Sequence, residues 1–281
     1  NVTSVVKEVN QVVCIKGIDD NKKEKIYRAK IVVGADGANS VVAQSLGLHR
    51  VDPKHHISAL RIYYKNIKDM KDMIELHFTS SIIPGYFWIF PLEDNIANVG
   101  IGMIVDDMGK RHVNLKQAMF DEINNNALFK ERFKNTEIVE GSLKGWNLPL
   151  GSKRRKCYGD GFLLIGDAAS LIDPFTGEGI GNAMISGKLA AGVIDEAMLA
   201  GDYSGNTLKK FDDLLSDALD DEFKTSYRMQ KLGSIKFLLN FVINKAARSQ
   251  HIRDMISTTL MDKETRKEYT SPWIYLKMLF S

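Results

Sequence analysis

The chain has 281 residues, 44% of them hydrophobic and 26% charged, and this composition excludes disordered, collagen-like and low-complexity proteins. Its 38 Lys and Arg against 35 Asp and Glu leave a formal charge of +3, too balanced for a nucleic-acid binder that works by neutralising phosphates. The two cysteines, Cys14 and Cys157, are typical of a reducing compartment. No run approaches the roughly 20 apolar residues of a transmembrane helix. We therefore expect a cytoplasmic protein.

The first fifty residues alternate between β character and turns. Residues 2–18 and 26–33 are rich in Val and Ile, which predicts a hairpin or meander and then a strand that ends at Gly34. A helix is predicted from Ser40 to Leu46, with Gly47 ending it. The chain opens on Asn1 rather than Met, and this opening segment is typical of the middle of a domain.

The pattern changes to short, spaced strands between about residues 51 and 105. Polar or Gly/Pro turns separate these strands, which predicts an antiparallel sheet and hence a second domain inserted into the first. The strands are expected at 60–65, 74–78, 85–90 and 98–105. An amphipathic helix is predicted over 115–134.

The second half of the chain is mainly helical in period. A buried strand is predicted at 159–166 and a long helix at 180–199, closed by Gly201. From Leu208 on, apolar residues share one stripe and the acids of 212–222 are predicted to face solvent. The stripe consists of Leu208, Phe211, Leu215, Leu219 and Phe223.

Two basic segments have more than one interpretation. Residues 153–156, Lys-Arg-Arg-Lys, are predicted to form a solvated loop, with a role in holding a phosphate as the alternative. Residues 232–248 combine Phe237 and Phe241 with several basic residues, and such a basic amphipathic helix can lie on a membrane surface. Packing against the rest of the protein is the commoner outcome for such a helix, and membrane contact is the alternative.

The strongest chemical signal is an apolar strand that delivers an aspartate, in Gly161-Phe-Leu-Leu-Ile-Gly166-Asp167-Ala-Ala. Ligands of open α/β sheets bind beyond the carboxyl ends of the strands, and a carboxylate there is suited to a polyol or a ribose. Six residues later, Asp173-Pro174-Phe-Thr-Gly177-Glu178-Gly179-Ile180 leads into a helix. Its glycines expose backbone N–H groups at a helix start, which favours negative charge.

A second strand, turn and helix start lie in Ile31-Val-Val-Gly34-Ala-Asp36-Gly37-Ala-Asn-Ser40. This segment is weak by itself, because Asp36 could simply cap the helix that follows. Paired with the Gly166-Asp167 segment it becomes specific. Together the two segments resemble the downstream FAD fingerprints of flavoproteins of the p-hydroxybenzoate hydroxylase type.

A third motif indicates one particular family within this class of flavoproteins. Pro84-Gly-Tyr86-Phe-Trp88-Ile-Phe90-Pro91 is similar to the Tyr-x-Trp-x-Phe-Pro motif of the geranylgeranyl reductase family. Tyr86, Trp88 and Phe90 alternate along a strand, so all three face one side. Core packing is the ordinary role of such a strand, whereas the resemblance implies that these aromatics and Pro91 border a pocket for a polyprenyl chain.

The resemblance also implies a cofactor site. Asp167 would accept hydrogen bonds from the ribityl chain of FAD, and the N–H groups of Gly179 and Ile180 would face the flavin N1/C2=O edge. Asp36 and Gly37 would lie near the pyrophosphate and line the approach of NAD(P)H in relatives that use it. The remaining positions of the implied cofactor site are Gly166, Asp173, Pro174, Gly177 and Glu178.

The implied fold is α/β, with an FAD-binding Rossmann-like domain, an inserted antiparallel substrate domain and a helical C-terminal tail. The expected domains are 1–50 and 146–205 for FAD, 51–145 for substrate and 206–281 for the tail. The family places its dinucleotide fingerprint ahead of Asn1. We therefore expect the FAD domain to be incomplete at its N-terminus and the 281-residue chain alone to bind FAD poorly.

The implied activity is saturation of C=C bonds of an isoprenoid chain or lipid, by hydride transfer from reduced FAD, with NAD(P)H or another electron donor. A flavin monooxygenase or halogenase shares both FAD segments and stays an alternative, as does a fragment inactive by itself. No His or Cys has metal-ligand spacing, so we predict no metal site.

Overall fold

A computed structural model describes residues 1–9 and 11–261. The chain divides into two compact units, and each is described by itself. The first unit comprises residues 1–51 and 149–232 and continues from residue 241, and the second comprises residues 52–148 and 233–240. Of the predicted tail of 206–281, residues 262–281 lie outside the described part of the chain.

The strands of the described residues are β1 (Val2–Glu8), β2 (Gln11–Ile18), β3 (Glu24–Arg28), β4 (Val32–Gly34), β5 (His56–Lys65), β6 (Glu75–His77), β7 (Tyr86–Pro91), β8 (Ile96–Ile104), β9 (Glu137–Ile138), β10 (Lys144–Pro149), β11 (Tyr158–Gly159) and β12 (Phe162–Leu164). The helices are α1 (Val41–Ser45), α2 (Val105–Arg111), α3 (Leu115–Asn125), α4 (Lys130–Phe133), α5 (Ile180–Ala200), α6 (Gly205–Gly233), α7 (Lys236–Arg248) and α8 (Gln250–Met261).

The first unit contains two three-stranded sheets. The predicted meander is present as β1, β2 and β3, which pair antiparallel. The other sheet has the order β11-β12-β4, and its strands β12 and β4 run parallel with Leu164 opposite Gly34. Parallel neighbours end at the same sheet edge, so the turns after β4 and β12 lie side by side.

Helices α5 and α6 supply much of the core of the first unit. The predicted stripe of α6 is confirmed, since its five apolar residues from Leu208 to Phe223 are all at most 2% exposed. Helix α5 begins at Ile180 and ends at Gly201, whose φ of +67° is the left-handed conformation typical of a glycine C-cap.

The second unit is built on a mainly antiparallel sheet of order β10-β5-β8-β7-β6, and β9 pairs with the edge of β5. The predicted antiparallel sheet is thus confirmed. Residues Phe87, Ile89, Val99 and Ile101 are fully buried and form a core with residues of α3 and α4.

Two predicted elements are interrupted. The helix predicted over 115–134 is divided into α3 and α4 at Asn126, whose side chain donates to Glu122 and accepts from the Leu128 N–H. An asparagine that bonds nearby backbone competes with the helix. The strand predicted over 159–166 contains a tight turn at Gly161, where φ is +72° and a Cβ would overlap the Val12 carbonyl oxygen.

Candidate functional site

The two acidic turns predicted from the sequence meet at one edge of the parallel sheet. Strand β4 ends at Gly34 and β12 ends at Leu164, and the Ile165 N–H donates to the Gly34 carbonyl at 3.0 Å. Asp36 follows the first strand and Asp167 the second. The structure therefore brings together the two segments that the sequence separates by more than a hundred residues.

Asp36 is engaged by the helix that follows it. Its Oδ2 accepts the Val42 N–H at 3.1 Å, while Ser40 Oγ accepts the Ala43 N–H at 2.9 Å. Both bonds satisfy N–H groups that a helix start leaves without partners. The capping role considered for Asp36 is confirmed. Gly37 has a φ of +76°, and no atom lies within 4 Å of where a Cβ would stand, so the turn is open at this point.

Asp167 has a different environment. It lies in a short 3-10 turn, Gly166–Ala169, whose first N–H donates to Ser186 Oγ at 3.0 Å. The Asp167 side chain is half-buried, and burial raises the pKa of its carboxyl. No residue of the described chain donates a hydrogen bond to this carboxylate. Asp167 is therefore a partly desolvated acceptor that the protein itself leaves available.

The start of helix α5 lies beside this carboxylate. A Cβ at Gly179 would stand 3.3 Å from Asp167 Oδ1 and 3.1 Å from Ile172 Cγ1, so glycine permits the close approach. Gly179 is the N-cap residue and has no side-chain cap, and Glu178 Oε1 accepts the Gly181 N–H at 2.6 Å. The N–H groups of Gly179 and Ile180 donate to no described residue. They form, with the helix dipole, a site suited to an acceptor of negative charge.

Asp173 shapes the loop that leads into α5. Its Oδ1 accepts the Phe175 and Thr176 N–H groups at 3.0 and 2.8 Å, and its Oδ2 accepts the Ser226 hydroxyl of α6 at 2.6 Å. The residue is only 1% exposed. Gln230 Nε2 donates to the Pro174 carbonyl. Asp173 and Pro174 therefore anchor the loop to α6, and Gly177, with a φ of +74°, turns it toward Gly179.

The prediction that residues 153–156 form a solvated loop is wrong for the two arginines. Arg154 pairs with Asp212 at 3.0 Å and with Asp220 at 2.8 Å, so these two acids also depart from the predicted solvent face. These pairs hold the partly exposed Arg154 against α6, and Arg155 is buried against the Gly166–Ala169 turn. A basic run gives no periodic signal for burial, so neither the burial of Arg155 nor the ion pairs of Arg154 could have been predicted from the sequence.

Arg155 is a residue of the candidate site that the sequence did not reveal. It is 8% exposed, and its backbone N–H and Nη1 donate to the Ala169 and Ala168 carbonyls at 3.3 and 2.7 Å. Burial lowers the pKa of its guanidinium, and the charge of Asp36 partly opposes that change. Its Nη2 is buried and has no partner among the described residues. Arg155 thus holds the Gly166–Ala169 turn by two hydrogen bonds and is close enough to Asp36 for the two charges to interact.

The predicted aromatic face is present in the second unit. Tyr86, Trp88 and Phe90 are half-buried on one side of β7, with successive ring centroids 5.9 Å apart, whereas Phe87 and Ile89 on the other side are fully buried. The core thus lies on the opposite face from the three aromatics. Pro91 is the last residue of β7 and lies opposite Ala97.

Glycine is required opposite the middle of this aromatic face. Gly100 on β8 pairs with Trp88, and a Cβ there would overlap the indole ring. Trp88 Nε1 donates to Asn98 Oδ1 at 3.1 Å, which satisfies the one polar group of the ring. This hydrogen bond and the contact with Gly100 hold the indole ring in one orientation against the sheet.

Other kinds of site find no support in the described residues. Within 1–9 and 11–261, no cluster of His, Cys, Asp and Glu could hold a metal ion. No helix of this part of the chain is long and apolar enough to cross a bilayer. The Cys157 thiol is buried and donates to Asp212 at 3.2 Å, and burial raises its pKa, so it stays protonated.

Known proteins are similar to this chain, and one family model matches part of it. Residues 56–143, which contain the aromatic strand, match the family model described as the geranylgeranyl reductase catalytic domain. The digeranylgeranylglycerophospholipid reductase of Methanocaldococcus jannaschii is 35% identical over 193 residues, which are 68% of this chain and 47% of that protein. The chain therefore spans about half the length of this curated relative.

Solved structures extend the likeness to most of the chain. A geranylgeranyl bacteriochlorophyll reductase-like protein from Thermoplasma acidophilum has a TM-score of 0.75 and 28% identity, covering 85% of this chain and 60% of that one. A flavin-dependent brominase, at 21% identity and a TM-score of 0.66, covers 90% of this chain and 63% of that one and shares the fold alone. With its paired acidic turns and its aromatic strand, the chain belongs to the geranylgeranyl reductase family of FAD-dependent oxidoreductases.

Proposed function

We propose that this chain contributes the flavin-binding and substrate-binding residues of an FAD-dependent reductase that saturates C=C bonds of an isoprenoid lipid. The observation that carries the proposal is the half-buried carboxylate of Asp167 beside the Gly179 and Ile180 N–H groups, none of which has a hydrogen-bond partner among the described residues. A protein that leaves an acceptor and two donors free at one sheet edge offers all of them to a ligand. FAD presents hydroxyl groups to the acceptor and a carbonyl edge to the donors.

In this proposal the residues of the first unit have distinct tasks toward the flavin. Asp167 accepts hydrogen bonds from the ribityl hydroxyls, and Gly166 lets the backbone turn toward them. The N–H groups of Gly179 and Ile180, with the dipole of α5, stabilise negative charge on the reduced ring. Glycine is needed at position 179 because a Cβ at Gly179 would crowd the Asp167 carboxylate.

The remaining implied cofactor positions support the sheet edge that carries Asp167 and are not proposed to accept hydrogen bonds from the flavin. Asp173, Pro174, Gly177 and Glu178 hold the loop before α5 through the hydrogen bonds described above. On the other strand, Asp36 and Gly37 stand toward the pyrophosphate. We propose NAD(P)H as the electron donor, with the open side of Gly37 as part of its approach.

The aromatic face of the second unit is proposed to hold the substrate. Tyr86, Trp88 and Phe90 offer one continuous apolar surface backed by a fully buried core. A polyprenyl chain has no hydrogen-bonding groups, so apolar contact and exclusion of water are the interactions available to it. When bound and reduced, FAD supplies the hydride for the reaction. The residues of β7 orient the alkene and exclude water from it.

The proposal is tested by incubating the dithionite-reduced protein with a geranylgeranyl lipid and measuring the product by mass spectrometry. We expect mass gains that correspond to added pairs of hydrogens. Trp88→Ala should lower the yield, whereas Trp146→Ala, which alters an exposed tryptophan of the same unit, should leave it unchanged. An unaltered lipid after incubation with protein that retains FAD would overturn the proposal. Consumption of NAD(P)H and O₂ with an oxygenated or halogenated product would assign a monooxygenase or halogenase instead.

A further inference from the structure

Positive charge is concentrated near the C-terminal end of the described chain. Between Glu222 and Asp254 there is no acidic residue, whereas this stretch contains seven Lys and Arg. The formal charge of the whole chain is only +3, so the rest of the chain is net acidic. A segregation of charge this strong produces a local positive field even when the whole protein is nearly neutral.

Helix α7 lies within this stretch and buries none of its side chains. Phe237, Phe241, Lys245 and Arg248 recur at intervals of four, four and three residues, which places them on one side of the helix. Phe237 is 81% exposed, and Ile235 just before the helix is 52% exposed. One helix side therefore presents aromatic and basic side chains together.

The basic residues of α7 differ from those of α6 in the ion pairs that the described part of the chain offers them. Lys236, Lys245 and Arg248 form no ion pair with any residue that the structure describes. On α6, by contrast, Lys209 pairs with Asp213 and Lys210 with Glu196. Within the described residues, the positive charge of α7 is therefore not neutralised by ion pairs, whereas that of Lys209 and Lys210 is.

We propose that α7 and its basic flanks dock on an anionic lipid surface, with Phe237 in the interface and Lys236, Lys245 and Arg248 against the headgroups. A helix that carries aromatic and basic residues together binds such a surface through apolar burial and attraction to anionic lipid. A second copy of this face would place like charges opposite each other, which disfavours self-association. Docking of α7 on a lipid surface depends on charge and exposure and is independent of the proposed reaction.

Flotation of the purified protein with vesicles tests the charge requirement. We expect binding to vesicles of equal parts phosphatidylcholine and phosphatidylglycerol, weak binding to phosphatidylcholine alone, and release by high salt. Changing Lys236, Lys245 and Arg248 together to Gln should weaken binding about 100-fold, from about 1 kcal/mol for each charge. The matched control changes three exposed lysines around the β2–β3 turn to Gln and should leave vesicle binding unchanged. These are Lys22, Lys23 and Lys25.

The aromatic contribution is tested with Phe237→Ser, which alters an exposed position and should not affect folding. We expect vesicle binding to fall by about tenfold or more. Equal binding to both kinds of vesicle, no binding to either, or equal losses in the Gln variant and its lysine control would overturn the proposal. So would a dimer found by sedimentation without lipid and abolished by Phe237→Ser, because the face would then bind a second copy.

Discussion

Asp36 and Asp167 end neighbouring parallel strands, but their carboxylates contact different groups. Asp36 accepts the Val42 N–H at the start of α1. Asp167 accepts no hydrogen bond from the described residues, and burial raises the pKa of its carboxyl. Of two similar turns at one sheet edge, the first uses its carboxylate to cap a helix, and the second holds a carboxylate that the described residues leave without a donor. Each of the following changes tests that difference.

The largest expected effect is that of Asp167→Ala on flavin binding. A hydrogen bond to a charged group is worth about 1.5–3 kcal/mol, so the dissociation constant for FAD should rise about 10- to 100-fold. Titration followed by flavin fluorescence measures it. An unchanged constant would place the ribityl chain elsewhere and remove the distinction between the two aspartates.

Arg155→Met should lower the free energy of unfolding by about 2 kcal/mol, because the Ala168 carbonyl loses its charged donor in a buried setting. FAD binding should weaken as well, since Arg155 holds the turn that carries Asp167. The neighbouring Lys156→Met is the control, and at this exposed position it should change the unfolding free energy by less than about 0.5 kcal/mol. Chemical denaturation measures both. Equal effects would show that Arg155 does not support the site.

Asp36→Ala should lower the free energy of unfolding by about 1 kcal/mol, the ordinary cost of a lost helix cap. Its effect on the FAD dissociation constant should be smaller than that of Asp167→Ala. Asn114→Ala removes a cap from α3 in the other unit and serves as a control for stability loss without a flavin contact. If Asp36→Ala weakened FAD binding as strongly as Asp167→Ala while leaving stability unchanged, the comparison would be wrong.

Gly179→Ala should weaken FAD binding several-fold, because the added Cβ would stand 3.3 Å from Asp167 Oδ1 and 3.1 Å from Ile172 Cγ1. Gly181→Ala is a close control, since its Cβ would meet nothing nearer than Glu178 Oε1 at 3.5 Å. Calorimetric titration of the two variants gives the difference. Equal affinities would mean that the approach of α5 to Asp167 has no role in binding.

The smallest effect is a pH dependence of stability without flavin. Because burial raises the pKa of Asp167 in the folded protein, ionising this carboxyl opposes folding. Asp167→Asn should therefore unfold at a higher temperature than the parent at neutral pH. The gap should close as the pH falls through the folded pKa to the ordinary value of 3.8. A gap that is constant with pH would indicate a packing effect of the amide and no effect of charge.

Local periodicity explains which parts of the structure were predictable. The alternation of Tyr86, Trp88 and Phe90 places them on one face because successive side chains of a strand point to opposite sides. The stripe from Leu208 to Phe223 follows the helical period and is buried. The apolar pattern did not predict the interruption of the helix at Asn126 or of the strand at Gly161. A side-chain hydrogen bond causes the first and a left-handed glycine the second.

By itself the sequence determined the strand–turn–helix segments, the aspartates that end the two strands and the glycines that precede α5. Each of these depends on residues close together in the chain, so composition and spacing are sufficient to predict them. Only the tertiary structure decided that Asp36 caps α1 while Asp167 accepts no hydrogen bond from the described residues, and that Arg155 is buried against the Gly166–Ala169 turn. These outcomes depend on which distant segments pack together, because burial and the availability of hydrogen-bond partners are properties of the packed chain.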